Sequence, residues 1–439
     1  MEQSRYASAD SRVKAANASV LDFDYHHKME EVGMSEELIE SAEQESTGVS
    51  RRDFIKTAAI VGASVLAVQA VGRKDAHAAE DVKKEAKAAS AAAAGGGAKK
   101  LSDVLKVARE KMYPRCRVCP ECDGVACSGE VPGMGGIDSG KAFRNNLAAL
   151  AKYDLKMLTF HDVKKPDTTL TLFGTKLSMP ILSGITGGVT YNMGLGGKVS
   201  EDEYAEGIIG GCVLAGTIGF AADGIGDPLS VYEGRLKTVA KYRGHAAAQI
   251  KPRTQAEIIE RIRLIEKAGA PFFAIDIDSA GRASRALPGK TVEPKTLKQL
   301  KEIADSTKLP FLIKGVMTPE EALMALKIGA AGIVVSNHGG RVLDHTPGTA
   351  QVLPAIADAV KGRMVILVDG GVRYGADVLK MLALGADAVL VGRPLVRGSV
   401  GGGADGVALM LKKMNDELVV SMTLTGTADV KKVSRKILA

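Results

Sequence analysis

Ionisable side chains stand beside glycine pairs where short apolar segments of this chain end. The stretch SNHGGRVLD follows the apolar run AGIVVS and places His338 and Arg341 on either side of two glycines. A histidine whose pKa lies near neutrality is a common proton acceptor for alcohols, and an arginine can bind a carboxylate through two parallel hydrogen bonds. This spacing favours abstraction of a proton from a small anionic alcohol.

Three further residues could assist that chemistry. Asp278 follows the apolar run FFAIDI and could orient the imidazole of His338, and Arg285 could help to bind the substrate carboxylate. Lys314 follows FLI, where burial of a cation is costly unless an anionic or electron-rich group lies beside it. This lysine therefore indicates the edge of a cofactor, with a Schiff-base lysine as the alternative.

Glycines and arginines mark a candidate phosphate site. The segments VDGGVRYGADV and VGRP each end an apolar run in glycine, and each carries an arginine. Backbone N–H groups, helix N-termini and basic side chains bind phosphate at such positions. The predicted phosphate-binding residues are Gly370, Gly371, Arg373, Gly392 and Arg393.

Eight short apolar runs would position these side chains. They are mostly apolar along their length, as buried parallel strands are, and amphipathic stretches such as TQAEIIERIRLIEKAG lie between several of them. We predict an α/β protein built on a (β/α)8 TIM barrel. A doubly wound sheet is the alternative, but no GxGxxG opens a helix after the first strand. The runs are 180–185, 212–219, 245–250, 272–277, 310–316, 332–337, 364–371 and 388–393.

A barrel places its site at the carboxyl ends of its strands. Polar side chains occur at those ends, where packing of a core would not require them. They are Thr186, Thr217, Gln249, Asp276, Asp278, Lys314, Ser336, Asn337, His338, Asp369 and Arg393.

Four of the five cysteines lie in one short segment, CRVCPECDGVAC. Cys116, Cys119, Cys122 and Cys127, called here the cysteine cluster, have the spacing C-x2-C-x2-C-x4-C. The spacing is similar to iron–sulfur ligation, although the ferredoxin pattern ends C-x3-C-P. Zinc is the alternative metal, and two disulfides are the alternative without a metal in an exported protein. We favour a metal, since four thiols so close together suit one ion or cluster.

An export signal precedes the folded part. Residues 50–56, SRRDFIK, resemble a twin-arginine signal through Arg51 and Arg52, and the apolar run that follows is about 15 residues long, short for a membrane span. We predict a poorly ordered signal region over 1–78, a low-complexity linker over 79–100, a Cys-rich segment over 101–139 and the barrel over 140–439. The expected location is the periplasm or the outer face of the cytoplasmic membrane.

Composition is consistent with a folded protein that binds a small anionic ligand. The chain has 439 residues, 46% of them hydrophobic, and a net charge of +7. This is enough for a sizeable core. No run of Lys and Arg marks a nucleic-acid-binding patch, so no nucleic acid is expected as a partner.

The stretch SNHGGRVLD, with IKGV before it and VDGGVRYGADVLKMLALGADAVLVGRP after it, resembles the FMN-dependent α-hydroxy acid dehydrogenase/oxidase family. That family includes glycolate oxidase, lactate oxidase and flavocytochrome lactate dehydrogenase. The resemblance covers residues 140–425. It implies a TIM barrel, bound FMN and oxidation of an L-2-hydroxy acid to the 2-oxo acid, with the electrons passed to an unknown acceptor. It also implies a homotetramer.

The resemblance also implies roles for residues. His338 would be the base, supported by Asp278, and Lys314 would lie near the flavin N1–C2=O edge and stabilise the reduced flavin. Arg341 and Arg285 would bind the substrate carboxylate. The implied FMN contacts are Thr186, Gln249, Ser336, Asp369, Gly371, Arg373, Gly392 and Arg393. Thr217, Asp276 and Gly370 join the predicted cofactor-binding residues by their places at strand ends.

The sequence departs from the family pattern at residues that normally touch substrate. Lys251 stands where the family usually has a tyrosine, Asp276 stands where it often has a threonine, and GMGGIDSGKAFRNN replaces the region of an N-terminal tyrosine. We hypothesise that Lys251 adds a positive charge for a larger or more acidic substrate. The alternative functions are a flavin-dependent isomerase of the type 2 isopentenyl diphosphate isomerase kind and a non-catalytic flavin electron carrier.

Overall fold

The computed structural model of the protein describes residues 100–283 and 292–439. The predicted signal region, almost all of the predicted linker and the predicted carboxylate-binding residue Arg285 lie outside these residues. All of the described residues belong to one compact unit. The Cys-rich segment and the barrel are therefore parts of the same folded body.

Ten strands occur in the described chain. Two form an antiparallel hairpin and eight form a parallel sheet, in the order β3-β10-β9-β8-β7-β6-β5-β4. Their bounds are β1 Leu170–Leu172, β2 Thr175–Leu177, β3 Ile181–Ser183, β4 Gly219–Ala222, β5 Ala246–Ile250, β6 Phe273–Asp276, β7 Phe311–Val316, β8 Gly332–Val335, β9 Val365–Val368 and β10 Ala388–Val391.

Helices follow most of the strands, as the alternating sequence pattern predicts. Their bounds are α1 Leu101–Met112, α2 Lys141–Ala151, α3 Val189–Asn192, α4 Glu201–Leu214, α5 Leu229–Lys241, α6 Gln255–Ala268, α7 Ala280–Ala283, α8 Leu297–Asp305, α9 Pro319–Lys327, α10 Thr349–Val360, α11 Gly375–Leu384 and α12 Arg393–Leu424, which is kinked at Gly403. None of the helices in the described ranges is both long and apolar enough to cross a membrane.

The eight parallel strands close into the predicted (β/α)8 barrel. Strands β3 and β4 stand at the two ends of the sheet order, and Ser183 joins them. Its N–H donates to the carbonyl of Ile218 at 3.1 Å, and its Oγ accepts from the N–H of Phe220 at 2.9 Å. The doubly wound alternative is wrong, because the strand order β3-β10 brings the first and last strands of the barrel together.

Alternate side chains of each strand enter two separate cores. Leu182, Leu312 and Val334 fill the barrel interior, whereas Ile181 and Ile333 face the helices outside. The β1–β2 hairpin covers the amino end of the barrel, where the rings of Phe173 and Phe272 lie 4.8 Å apart. The amino end is thus closed by apolar packing, which leaves the carboxyl end for a site.

The second predicted strand is misplaced. The run 212–219 begins in α4, which is buried along its last two turns, and β4 starts only at Gly219. A helix that is apolar on every face has the same sequence signature as a buried strand. Thr217 consequently precedes β4 and donates its hydroxyl to the carbonyl of Ile181 at 2.7 Å, away from the carboxyl end.

The Cys-rich segment packs along the barrel through α1 and the loops that follow it. A Cβ at Gly401 would lie 1.9 Å from the carbonyl oxygen of Val104, so a glycine lets α1 approach α12 closely. Beyond α1, the N–H of Ile137 donates to the carbonyl of Gly340 at 2.8 Å. The segment therefore reaches the loop that follows β8.

Candidate active site

A cavity of about 290 Å³ lies at the carboxyl ends of the strands, where the barrel predicted a site. Residues of β5 and β7 and of the loops after β3, β8, β9 and β10 line it. The sequence-predicted residues that line it are Thr186, Gln249, Lys314, His338, Arg341, Asp369, Gly370, Gly371, Arg373, Gly392 and Arg393.

Asp278 holds the imidazole of His338. The Nδ1 atom of His338 lies 3.1 Å from both carboxylate oxygens of Asp278 and 3.3 Å from Nζ of Lys314. Since the carboxylate is an acceptor, this contact favours the proton on Nδ1 and places the ring lone pair on Nε2. The tautomer is the one that a base needs.

The loop geometry explains the glycine pair that follows this histidine. His338 has φ +57°, and Gly340 has φ +77° with Phe143 so close that a Cβ would lie 2.3 Å from its backbone nitrogen. A non-glycine residue in the left-handed region costs free energy and is common at functional sites. The side chain of Asn337 holds this loop by donating to the carbonyl of Pro347 at 3.1 Å.

Lys314 is a buried cation surrounded by carboxylates. Its Nζ lies 3.6 Å from Asp278, and its side chain is 3% exposed. Burial opposes its charge, but Asp278, Asp369 and Asp276 together raise the pKa of Lys314. A protonated amine is not a nucleophile, so the geometry argues against the Schiff-base alternative.

Burial raises the pKa values of the two carboxyl groups nearest this lysine. For Asp278 the positive charges of Lys314 and Lys251 partly offset the effect of burial on its pKa. For Asp369 the effect of burial on its pKa is partly offset by the positive charge of Lys314 and by the hydroxyl of Ser336, which donates to Asp369 at 2.8 Å. The lysine thus favours the ionised form of both groups.

Two departures from the family pattern form a pair. Lys251 Nζ donates to Asp276 Oδ2 at 2.6 Å, and Gln249 donates to the other oxygen of Asp276 at 2.5 Å. Both partners are almost fully buried, with side chains 10% and 1% exposed. The strand register explains the contact, because Ile250 of β5 lies beside Ile275 of β6.

The residues of the phosphate-binding prediction line the same cavity. Arg373 and Arg393 line the cavity beside Gly371 and Gly392, and α12 begins directly after Gly392. Burial and, to a smaller extent, the positive charge of Arg373 lower the pKa of Arg393 to about 10. Within the described residues neither arginine forms an ion pair with a carboxylate, so both charges are available to an anionic ligand.

The cavity fits FMN. Arg373 carries a buried Nε atom that has no hydrogen-bond partner among the described residues, as a phosphate ligand would provide. Glycines at 184, 187, 188, 370, 371 and 392 leave parts of the wall without side chains, which suits a flat ring system. Lys314 and Gln249 line the same cavity and could contact the polar edge of an isoalloxazine.

Some predicted residues lie behind the cavity wall. Asp278, Asp276 and Ser336 contact the lining residues His338, Lys251 and Asp369 instead of the cavity itself. Thr217, which was predicted to bind the cofactor, precedes β4 and does not line the cavity. Arg285 lies outside the described residues, so its role stays a prediction.

Sequence reasoning missed residues at the true end of β4 and in the loop after β3. Asp223 follows β4, lines the cavity and accepts two hydrogen bonds from Arg253 at 2.7 and 2.9 Å. Tyr191 also lines the cavity and is 44% exposed. The segment FAADGIGD has an acidic residue before two glycines, which is typical of a strand end at a site. The second strand was predicted too early in the chain for this residue to be recognised.

The cysteine cluster borders a second, small cavity that shares a wall with the first. All four cysteines are free thiols and line it together with Arg397, while Arg393 and Met134 line both cavities. Arg373 Nη2 lies 3.6 Å from Sγ of Cys122. Burial opposes ionisation of Cys122, but Arg373, Arg397 and Arg393 lower the pKa of its thiol overall.

Comparison with known proteins identifies relatives. The pattern of the family described as FMN-dependent dehydrogenase matches residues 133–291 and 279–439. The chain is 49% identical to a 2-hydroxyacid oxidase of Dictyostelium discoideum over 143 residues, or 33% of this chain and 37% of the relative. It is 51% identical to an L-lactate dehydrogenase of Caulobacter vibrioides over 140 residues, or 32% and 37%. The matched segments thus span little more than a third of these relatives.

A solved structure resembles a larger part of the chain. The structure of a mandelate oxidase with (S)-2-phenylpropionate has a TM-score of 0.62 and 26% sequence identity. The similarity covers 77% of this chain and 97% of that protein. The barrel and its connections are therefore similar over nearly the whole of the solved protein.

Proposed function

This chain belongs to the FMN-dependent dehydrogenase family, and we propose that it oxidises an L-2-hydroxy acid to the 2-oxo acid. The observation that supports this activity best is the contact of His338 with Asp278 and Lys314 beside a cavity that fits FMN. The family makes FMN the cofactor, and the flavin supplies a hydride acceptor when it is bound. Relatives that are named for 2-hydroxy acids and lactate agree in the class of substrate.

His338 is the proposed base. Its Nε2 accepts the proton of the substrate hydroxyl while the hydrogen at the carbinol carbon leaves as hydride. Asp278 holds Nδ1 at 3.1 Å and stabilises the imidazolium that forms. Because Asp278 is buried, it fixes the ring without competing for the substrate.

The cations of the site have separate tasks. Lys314, charged and buried, would lie near the cofactor and stabilise negative charge there. Arg341 lines the same cavity as His338 and binds the substrate carboxylate. Arg373 and Arg393 would hold the phosphate of FMN. Lys251 adds charge on the substrate side, with Asp276 fixing its position.

A panel of acids under anaerobic conditions tests this proposal. Purified protein is mixed with L-lactate, glycolate and larger L-2-hydroxy acids while the visible band of the flavin is recorded, with the D-enantiomers as controls. Bleaching by the L-acids is expected, and the rates rank the substrates. A flavin that is bound but stays oxidised with every acid contradicts the proposed activity.

We propose that the cysteine cluster holds a metal, either as an iron–sulfur cluster or as zinc, because its four thiols are free.

We also propose export by the twin-arginine route, because residues 50–56, SRRDFIK, resemble its signal. The family resemblance supports a homo-oligomer. Replacing Arg51 and Arg52 with lysine should retain the protein inside the cell. Export that continues in this variant, or a monomer in light scattering, would remove the respective proposal.

A further inference from the structure

We infer that the cysteine cluster ligates an iron–sulfur cluster that accepts electrons from the flavin across the wall formed by Arg393 and Met134. The electron-transfer half of this inference rests on the proposed hydroxy acid oxidation, whereas the ligation half does not. Its starting point is the shared wall, since Arg393 and Met134 line both the FMN cavity and the cavity of the cysteines.

Among the described residues, three arginines lie beside the cysteines without a carboxylate partner of their own. Arg373, Arg393 and Arg397 approach them, and in the described part of the chain none of the three forms an ion pair with a carboxylate. The side chain of Arg397 is largely buried, and its Nε atom has no hydrogen-bond partner there. A phosphate of FMN can neutralise only the wall that faces the first cavity. An anionic group among the thiols balances the other side.

The backbone around the first two cysteines is shaped for ligation. Val118 lies between them with φ +44°, a left-handed conformation that is unfavourable for a β-branched residue. Its N–H points to Sγ of Cys116 at 3.4 Å, and its carbonyl accepts from Arg109 at 3.0 Å. Hydrogen bonds to ligand sulfurs tune the reduction potential of iron–sulfur clusters.

The sulfurs lie farther apart than the thiolates around one zinc ion. Around a single zinc, bonds of about 2.3 Å place the thiolates ~3.8 Å apart. In residues 100–283 and 292–439, no three cysteine sulfurs lie within 4.8 Å of one another. The thiolates of a cubane cluster bind four different irons and stand farther apart. Zinc also has no redox chemistry, so it could not accept electrons from the flavin across the shared wall.

The electrons balance through this arrangement. Oxidation of one hydroxy acid releases two electrons and two protons. The flavin takes both electrons with one proton as hydride, and His338 takes the other proton. The cluster then accepts the electrons one at a time and passes each to a one-electron acceptor of the haem or iron–sulfur protein class. Cys119 and Cys122 also border a surface groove of about 700 Å³, through which such an acceptor can approach.

Iron, acid-labile sulfide and zinc are measured in the anaerobically purified full-length protein. Electron paramagnetic resonance spectra are recorded after reduction with dithionite and, separately, after mixing with the best acid of the panel. Cys122→Ser removes one ligand and Cys119→Ser is a second ligand variant. Cys212→Ser is the matched control, because Cys212 is fully buried in α4 and does not line the cysteine cavity. Retained FMN shows that each variant is folded.

The expected result is iron with sulfide in the wild type and in Cys212→Ser, and loss of both in the two ligand variants. Dithionite should give the signal of a reduced cluster, and the acid should give the same signal in the wild type but not in His338→Ala. Zinc without sulfide, or cysteines without metal, overturns the ligation. A flavin that bleaches while the cluster stays oxidised overturns the electron transfer. A dithionite signal with a flavin that no acid bleaches supports the ligation and contradicts the proposed function.

Discussion

The carboxyl end of the barrel and the cysteine cluster meet at Arg393, but different forces position them. Lys314 lies in a strand of a closed sheet, and His338 and Asp278 follow strands of it, so the hydrogen bonds of the sheet set their relative positions. The cysteines lie in turns over 113–140, which long-range contacts hold to the barrel, such as that of Arg393 with the carbonyl of Met134 at 2.8 Å. The barrel site is thus preorganised by the fold, whereas the cysteine cluster depends on its contacts and its ligand.

The largest effect should come from the base. His338→Ala removes the proton acceptor, and general base catalysis contributes about 10²–10⁴-fold to a rate. We expect flavin reduction by the best acid to slow by that factor, with FMN still bound and the fold intact. Stopped-flow absorbance under anaerobic conditions measures the rate. A loss of less than tenfold would exclude His338 as the base.

The second effect concerns the buried pair of Lys251 and Asp276. Lys251→Met leaves a buried carboxylate without its cation, and breaking such pairs costs about 3–5 kcal/mol of unfolding free energy. Urea unfolding measures this loss.

The control for this variant restores the family residues. Lys251→Tyr with Asp276→Thr removes both charges together and should recover much of the stability. If the double variant is as unstable as Lys251→Met, the two residues do not act as a pair. Selectivity of the double variant across the acid panel tests whether Lys251 favours larger or more acidic substrates. Unchanged selectivity would exclude that hypothesis.

A smaller effect should appear where the Cys-rich segment meets the β8 loop. Asp344 accepts hydrogen bonds from the N–H and hydroxyl of Ser139, at 2.9 and 2.5 Å, and from the N–H of Ala142 at 2.8 Å. Although burial opposes ionisation, these bonds lower the pKa of Asp344 to about 2. Asp344→Ala should cost about 2 kcal/mol of unfolding free energy at neutral pH, since hydrogen bonds to a charged group are lost.

The pH dependence of this contribution has a defined sign. Because the pKa of Asp344 is lower in the folded state than its ordinary value of 3.8, the ionised carboxylate stabilises the folded state above pH 3.8. This stabilisation is lost as the pH falls from 3.8 towards 2. Asp344→Ala should therefore lose less stability than the wild type over that interval. Asp305→Ala, which removes an exposed ion pair, is the control and should change little. Equal acid sensitivity in Asp344→Ala and the wild type would refute the assignment.

Much of the barrel could be predicted, because seven of its strands are short apolar runs bounded by turns. The second strand could not, since the last turns of α4 are buried on every face and read like a strand. That error placed Thr217 at the site and concealed Asp223. The carboxyl-end rule still identified the lining residues in β7 and after β8 and β9.

Contacts that join distant parts of the chain could not be predicted from the sequence. The pairing of Lys251 with Asp276 depends on the register of β5 against β6, which single positions do not reveal. The approach of Arg373 to Cys122 joins residues 251 positions apart. The spacing of the cysteines predicted a ligand site, but only the folded chain shows that it borders the FMN cavity.

The most direct test of the account is the rate of flavin bleaching by the best acid of the panel, compared with the same acid deuterated at its C2 carbon. If the carboxyl end of the barrel breaks that C–H bond, the flavin should bleach in the wild type and bleach more slowly with the deuterated acid. An FMN-loaded protein whose flavin stays oxidised, or whose flavin bleaches without any requirement for His338, would contradict it.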